Sequence, residues 1–449
     1  MYNRRRSLVT ITTSLIALGT FLNTCTDRAA GEDSWTAFQN GGSVSRAANA
    51  GVSLGDIRWT ADLEGYGQSS PIVWREHIYV TTVEGDNKDS YHVTALNLND
   101  GKELWQRTLT NASPQKNSTY VSRAAPTPVA DADGVICFFE GGNIVALTHD
   151  GQPRWEKNLV EDYGRVDSRH GLSSSPEQNE DSVFIWVERS EDPYVLCLAK
   201  QTGDVQWKAN GLGATSWASL RLVPVGNSNH LVLSAIGRLA GIDPADGKQL
   251  WQFDDISGNS TPTPMPLGEG KFLIGATTGR GESGGGRAAE SNGVIQIEQD
   301  DDGGWTASYA WQAQRATSSF GSPIVHDGLA MFVNREGVLY GLDVDSGEEI
   351  FAKRLKGSSW ATPIGAGQQV FFFGRDGKVD RVTDLHDGQT ISTWDRLPAP
   401  PKPKASEKTD RRGPPSMFSG PVLYAAAWCG DLVLLRRGGK LFSVELERD

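Results

Sequence analysis

Ala95-Leu96-Asn97-Leu98-Asn99-Asp100-Gly101-Lys102-Glu103-Leu104-Trp105 is an apolar run, a tight turn and the start of a second strand closed by a tryptophan. Asp-Gly between two apolar runs is hairpin chemistry, because Gly supplies positive φ and Asp tolerates it. The phrase returns as Ala146–Trp155, Cys197–Trp207, Gly241–Trp251 and Gly341–Phe351. Self-similarity at a fixed period of tens of residues marks an array of identical supersecondary units, each unable to bury its faces alone.

Working outward, the closing aromatics are Trp59, Trp105, Trp155, Trp207, Trp251, Trp311, Phe351 and Trp394, at intervals of 46, 50, 52, 44, 60, 40 and 43 residues. That period, with four short strands per unit, is the period of a propeller blade. The sixth repeat shows the strands well: Ser322–Val325, Leu329–Val333, Gly337–Leu342 and Glu348–Phe351. The last repeat, Phe418 to Leu446, ends without a closing Trp, whereas Trp59 precedes its first inner strand. The N-terminal strand is therefore expected to complete the last blade, which removes two open sheet edges. The expected fold is all-β: an eight-bladed propeller of four-stranded antiparallel blades, closed by an N-terminal strand. A seven-bladed ring would follow if the degenerate fifth repeat were not a blade; eight aromatics favour eight.

Three segments are expected: an export signal at 1–30, a lead-in at 31–55 and the propeller at 56–449, with a Pro-rich basic loop at 397–417. Arg4-Arg5-Arg6 followed by the apolar stretch Leu8 to Leu22 is a basic n-region and a core too short to span a bilayer. Cys25 in Leu22-Asn23-Thr24-Cys25 is the lipidation candidate; cleavage near Ala29-Ala30 is the alternative. Export to the periplasm or cell envelope is expected either way. The formal net charge of −12 counts against nucleic acid or an anionic membrane as partner, leaving a lipid anchor as the one expected membrane attachment. The odd, scattered Cys137, Cys197 and Cys429 read as buried small hydrophobes in a monomeric propeller.

The repeats resemble those of the pyrroloquinoline-quinone-like (PQQ-like) propeller family, whose blades close on A-x-D-x-x-T-G-K-x-x-W, and Trp35–Gly41 is similar to the segment before its first blade. The resemblance runs from Trp35 to Leu446. It implies the propeller, and two kinds of function: quinone-dependent alcohol and sugar dehydrogenases, or non-catalytic propellers such as the BamB-type assembly lipoprotein. The dehydrogenases of the family use a vicinal Cys-Cys pair, calcium ligands and a catalytic Asp. No two cysteines are adjacent here, and no site transfers residue by residue. Asp162 and Asp167 read as solvated loop carboxylates. The seven His fall at no ligand spacing, and no nucleophile elbow, H-E-x-x-H or phosphate loop occurs. No catalytic, cofactor or metal residue is therefore assigned; PQQ with Ca2+ belongs only to the alternative, dehydrogenase reading.

Binding is placed by loop length. The long segments 84–91, 111–123, 160–172, 188–193, 276–292 and 397–417 emerge on one face of the ring, and loops on a rigid scaffold bear function. Three residues before a recurring Pro (Leu220 in the fourth repeat) stand Trp217, Phe320, Trp360 and Phe418, expected to ring the channel mouth. Arg123, Arg169 and His170 lie in neighbouring connections. An aromatic mouth with cations suits a peptide strand, a sugar or a planar cofactor. The expected function is a non-catalytic scaffold for an envelope protein or glycan; the alternatives are the PQQ-dependent dehydrogenase and a carbohydrate-binding propeller.

Overall fold

A computed structural model describes residues 34–46, 51–118, 121–168, 170–213, 216–258, 261–277, 286–357, 359–399 and 422–449. Cys25, Arg169, Phe418, the 1–30 segment and residues 400–417 of the Pro-rich loop lie outside the described residues.

Eight antiparallel sheets follow one another in chain order. Blade 1 comprises Ile72–Trp74, His77–Glu84, Ser90–Asn97 and Glu103–Thr110, inner strand first. Blades 2 to 7 repeat this order, with inner strands at Val129–Asp131, Glu177–Gln178, Arg221–Val225, Met265–Gly268, Ile324–His326 and Ile364–Ala366. The fifth repeat forms a full sheet, Met265–Gly268, Lys271–Ile274, Gly293–Gln299 and Trp305–Gln312, so the ring has eight blades. Blade 8 takes Ala425–Cys429, Leu432–Arg437 and Lys440–Arg448 from the C-terminal end, and Val52–Asp62 as its outer strand. That pairing runs from Val52 opposite Arg448 to Asp62 opposite Lys440. The 55/56 boundary thus falls inside this strand.

Second strands are mostly buried, as in Leu329–Val333, while outer strands alternate, as in Trp305–Gln312. Packing between blades is the core. At most joints the closing Trp is the anchor, lying against the glycine of the next blade's turn and donating its indole N–H to a carbonyl there; Phe351 instead lies over Gly341 of its own blade. Trp59 bonds Leu98 O at 3.0 Å, Trp105 bonds His149 O at 2.7 Å, Trp155 bonds Lys200 O at 2.8 Å, and Trp311 bonds Val344 O at 2.8 Å. A methyl on Gly101, Gly151, Gly203 or Gly347 would meet the facing ring at 2.4–2.7 Å. Trp251 differs. It lies over Gly241 of its own blade and donates to His230 Nδ1 at 3.0 Å, because blade 5 lacks the Asp-Gly-Lys turn that would receive it.

Around the channel, five hydrogen bonds link six inner strands in series. The amides of Ser70, Thr127, Ser175, Ser219 and Thr263 donate to the hydroxyls of Thr127, Ser175, Ser219, Thr263 and Ser322, each at 2.9–3.0 Å. All these residues are buried, so the series satisfies amides that water does not reach.

The lead-in Ser34–Arg46 crosses the far end of the inner strands. Trp35, 1 % exposed, pairs through its backbone with Val73 of blade 1. Thr36 accepts from Ala130 of blade 2, and Ser45–Arg46 adds a parallel strand beside Ile364–Ala366 of blade 7. Gln39, in a left-handed turn at φ 55°, spans the ring. Its Oε1 accepts from Arg221 of blade 4 at 3.0 Å, and its Nε2 donates to Thr362 of blade 7 at 3.0 Å. Arg221 also donates to Glu177 at 2.9 Å, a buried pair in which desolvation pushes the acid up and the guanidinium down. One end of the channel is thereby filled by the chain's own N-terminal segment.

Candidate functional site

The opposite end is the mouth, where the connections enter the inner strands and the turns between second and third strands emerge. Five blades build one continuous arc there. Arg335, in the blade 6 turn, lies 5.4 Å from the Phe320 ring centroid. Phe320 stacks on Trp360 at 4.3 Å and 25°. Trp360 meets Tyr424 edge-on at 6.3 Å, and Tyr424 meets Tyr66 edge-on at 6.1 Å with their hydroxyls 2.9 Å apart. Arg123 closes the arc with its guanidinium 3.6 Å from the Tyr66 centroid. All six side chains are half-buried.

Local structure places each member. Arg123 is fixed by two bonds to Gln68: its amide donates to Oε1 at 2.8 Å, and its carbonyl accepts the Gln68 amide at 3.1 Å. Behind Tyr66, the fully buried Arg436 donates to Ser69 O, Ser69 Oγ, Thr81 O and Gly438 O, with no carboxylate among these partners. Burial pulls that guanidinium below its ordinary value, yet four oxygen acceptors hold it as a cation. The base of the arc is thus positive in a protein of net charge −12. Tyr66 is pushed up by burial and by Tyr424, and stays protonated.

A second pair stands between blades 3 and 4, where His170 lies 5.7 Å from Trp217. Trp217 adopts a left-handed backbone, φ 64°, uncommon for an aromatic. Its carbonyl accepts from Ser173 Oγ at 3.2 Å. Beneath it Glu188, 3 % exposed, accepts from Ser216 N at 2.9 Å and Ser216 Oγ at 2.8 Å. Burial pushes Glu188 up to about 8 against those donors.

Of the sequence-predicted mouth residues, the structure brings Phe320, Trp360 and Arg123 into the arc and joins His170 to Trp217. Arg169 and Phe418 lie outside the described residues. Strand pairing also moves the blade 8 alignment. Cys429 faces Leu432 as Ala366 faces Gln369, so Ala426, not Pro421, occupies the position of the recurring Pro. The counterpart of Trp360 is then the buried Leu423, and the neighbouring Tyr424 supplies the ring. Sequence reasoning missed Tyr66, Tyr424, Arg335 and Glu188. The signal for the first two was within reach: each lies shortly before its blade's inner strand, at a different offset from Trp360.

The three described cysteines, Cys137, Cys197 and Cys429, are buried and unbridged in separate blades, and burial pushes the Cys137 thiol up, as befits packing residues. Among the described residues no helix is long and apolar enough to cross a membrane.

The sequence profile of the family described as "Outer membrane protein assembly factor BamB" matches residues 24–191, 165–263, 191–301 and 290–447. No curated protein matches the chain. Among solved structures, BamB from Moraxella catarrhalis superposes with a TM-score of 0.57 at 12 % identity, covering 88 % of this chain and 98 % of that one. The computationally designed Ika8 protein gives 0.55 at 12 % identity, covering 87 % and 100 %. Both likenesses are of fold.

Proposed function

The chain belongs to the family described as outer membrane protein assembly factor BamB, and from that membership we propose that it is a non-catalytic binding scaffold of the cell envelope. The Arg4–Leu22 export signal supports a periplasmic or envelope location. The mouth is its partner-binding surface, and the partner is a protein that offers an extended acidic segment.

The observation that supports this is the engagement of the arc's own ring faces. Phe320 stacks on Trp360 and has the Arg335 guanidinium 5.4 Å from its centroid, and Tyr66 has that of Arg123 at 3.6 Å. A planar cofactor or a sugar ring needs a free aromatic face, whereas these rings act as a stiff base holding two guanidinium groups at the rim. Rim cations on a rigid base suit carboxylates of a docked strand, with aromatic edges beside them. The far end of the channel is filled by Ser34–Arg46, so a partner enters and leaves at the mouth alone.

The test is site-specific photocrosslinking in the native host. A photoreactive phenylalanine at position 360 or 424 is expected to give a discrete protein adduct, while the same group at Asn227, in an exposed turn on the opposite face, gives none. Arg123→Ala is expected to reduce the adduct at 360 at least threefold. Equal labelling from both faces would sink the reading. So would calorimetric binding of PQQ with calcium at micromolar affinity that Trp360→Ala weakens, which would restore the dehydrogenase alternative.

A further inference from the structure

Apart from the aromatic arc, blade 1 holds a buried imidazole facing two carboxylates. His92, in the third strand, stands directly opposite Thr82 on the second and Thr108 on the fourth. Directly opposed residues share a face of a sheet, and so does Glu84, two residues beyond Thr82. Glu64 comes from the connection that leaves the ring-closing strand Val52–Asp62. One donor atom each from Glu64, Glu84 and His92 fall within 4.8 Å of one another.

His92 is 3 % exposed, and its Nδ1 is 3.0 Å from the Thr108 hydroxyl. Its Nε2 makes no hydrogen bond among the described residues, and neither does Thr82 Oγ1, on a residue 1 % exposed. That nitrogen lies 3.4 Å from Glu84 Oε2. Two donors each about 2.0–2.1 Å from one tetrahedral ion are roughly 3.3 Å apart. The unsatisfied nitrogen and the carboxylate oxygen are therefore spaced as neighbouring ligands. The supporting shell is in place: Gln106 Nε2 holds Glu64 Oε2 at 2.5 Å, and the Thr94 hydroxyl holds Gln106 Oε1 at 3.0 Å. With the Nδ1 proton donated to Thr108, Nε2 keeps its lone pair for a metal.

We propose that blade 1 binds a first-row divalent cation of the zinc type through His92 Nε2, Glu84 and Glu64, with water completing the shell. One imidazole and two carboxylates favour such ions over the all-oxygen preference of calcium and magnesium. Two ligands are exposed carboxylates, so the ion is exchangeable and loads from solution.

Calorimetric titration of the untagged, full-length protein with Zn2+ alone tests this. One ion per chain at micromolar affinity or tighter is expected, with Ca2+ at least a hundredfold weaker. His92→Ala, Glu84→Gln and Glu64→Gln are each expected to weaken Zn2+ at least tenfold. The two glutamate changes lie at exposed positions, so they decide the matter if His92→Ala fails to fold. Loading with Co2+ is expected to give the visible absorption of a four-coordinate site, lost in Glu84→Gln. No Zn2+ binding at millimolar concentration, binding that survives all three substitutions, or a preference for Ca2+ would overturn the proposal.

Discussion

Glu188 and Glu140 are both buried acids at turns between second and third strands, yet their surroundings differ. Glu140 accepts from Ala124 N at 3.0 Å and faces the Lys88 ammonium at 3.4 Å. Glu188 has only the Ser216 donors and the Trp217 amide, and no Lys or Arg pairs with it among the described residues. Desolvation therefore wins, and the carboxyl rises to about 8. A folded-state value above that of the unfolded chain means that the native state binds the extra proton between about pH 4.5 and pH 8. Stability from this group is full below that window and falls as pH rises through it. Glu188→Gln keeps the acceptor oxygen and removes the titration. The variant is expected to gain on the wild type by about 1 kcal/mol per pH unit between pH 5 and pH 7, read from urea midpoints. A constant difference across that range would exclude the neutral acid. None of this was legible in the sequence, where Glu188 opens a polar loop and looks solvated; its burial depends on Ser216 and Trp217 arriving from the next blade's connection.

The blade joint is the unit at the next scale. Trp311 packs on Gly347 and bonds Val344 O, and Gly347 itself adopts φ 73°. Trp311→Ala removes a large, 92 % buried ring and is expected to cost about 3 kcal/mol or more in chemical denaturation. Gly347→Ala strains the backbone by about 1–2 kcal/mol and also drives a methyl into the ring at 2.6 Å. Because the clash needs the ring, the double variant is expected to cost less than the sum of the singles, by about 1 kcal/mol. Strict additivity would mean that the two do not touch. This joint was readable from sequence because both partners belong to the repeated phrase. The Ser/Thr series around the channel was half-readable: the recurring Pro was seen, but not the hydroxyl that precedes it in Ser70-Pro71, Thr127-Pro128, Ser175-Pro176, Thr263-Pro264, Ser322-Pro323 and Thr362-Pro363. Blade 8 has neither at that point, where Ala425-Ala426 stands, so nothing in the sequence marks its register.

At the scale of the whole ring, the N-terminal segment acts twice, as the outer strand of blade 8 and as the filling of one channel end. The first role was legible, since Trp59 is a closing aromatic without a blade before it. The second was not, because Gln39 and Trp35 find their partners through the assembled fold. Removing residues 1–62 would open the outer edge of blade 8 and uncover Arg221 and Glu177 together. That truncated chain is expected to lose its single cooperative urea transition and to self-associate on gel filtration; a monomer with an unchanged midpoint would show that closure contributes nothing. Closure also sets an order in time. Asp62 and Lys440 touch although they lie 378 positions apart, so Lys440–Arg448 leaves a ribosome or translocation pore long after Val52–Asp62. Val52–Asp62 must wait unpaired while the seven intervening blades are made. Such long-range pairing is slow to form. The interval before the last strand arrives is when this chain is most exposed to aggregation, and a host that makes or exports it faster shortens that interval without changing a single contact of the finished ring.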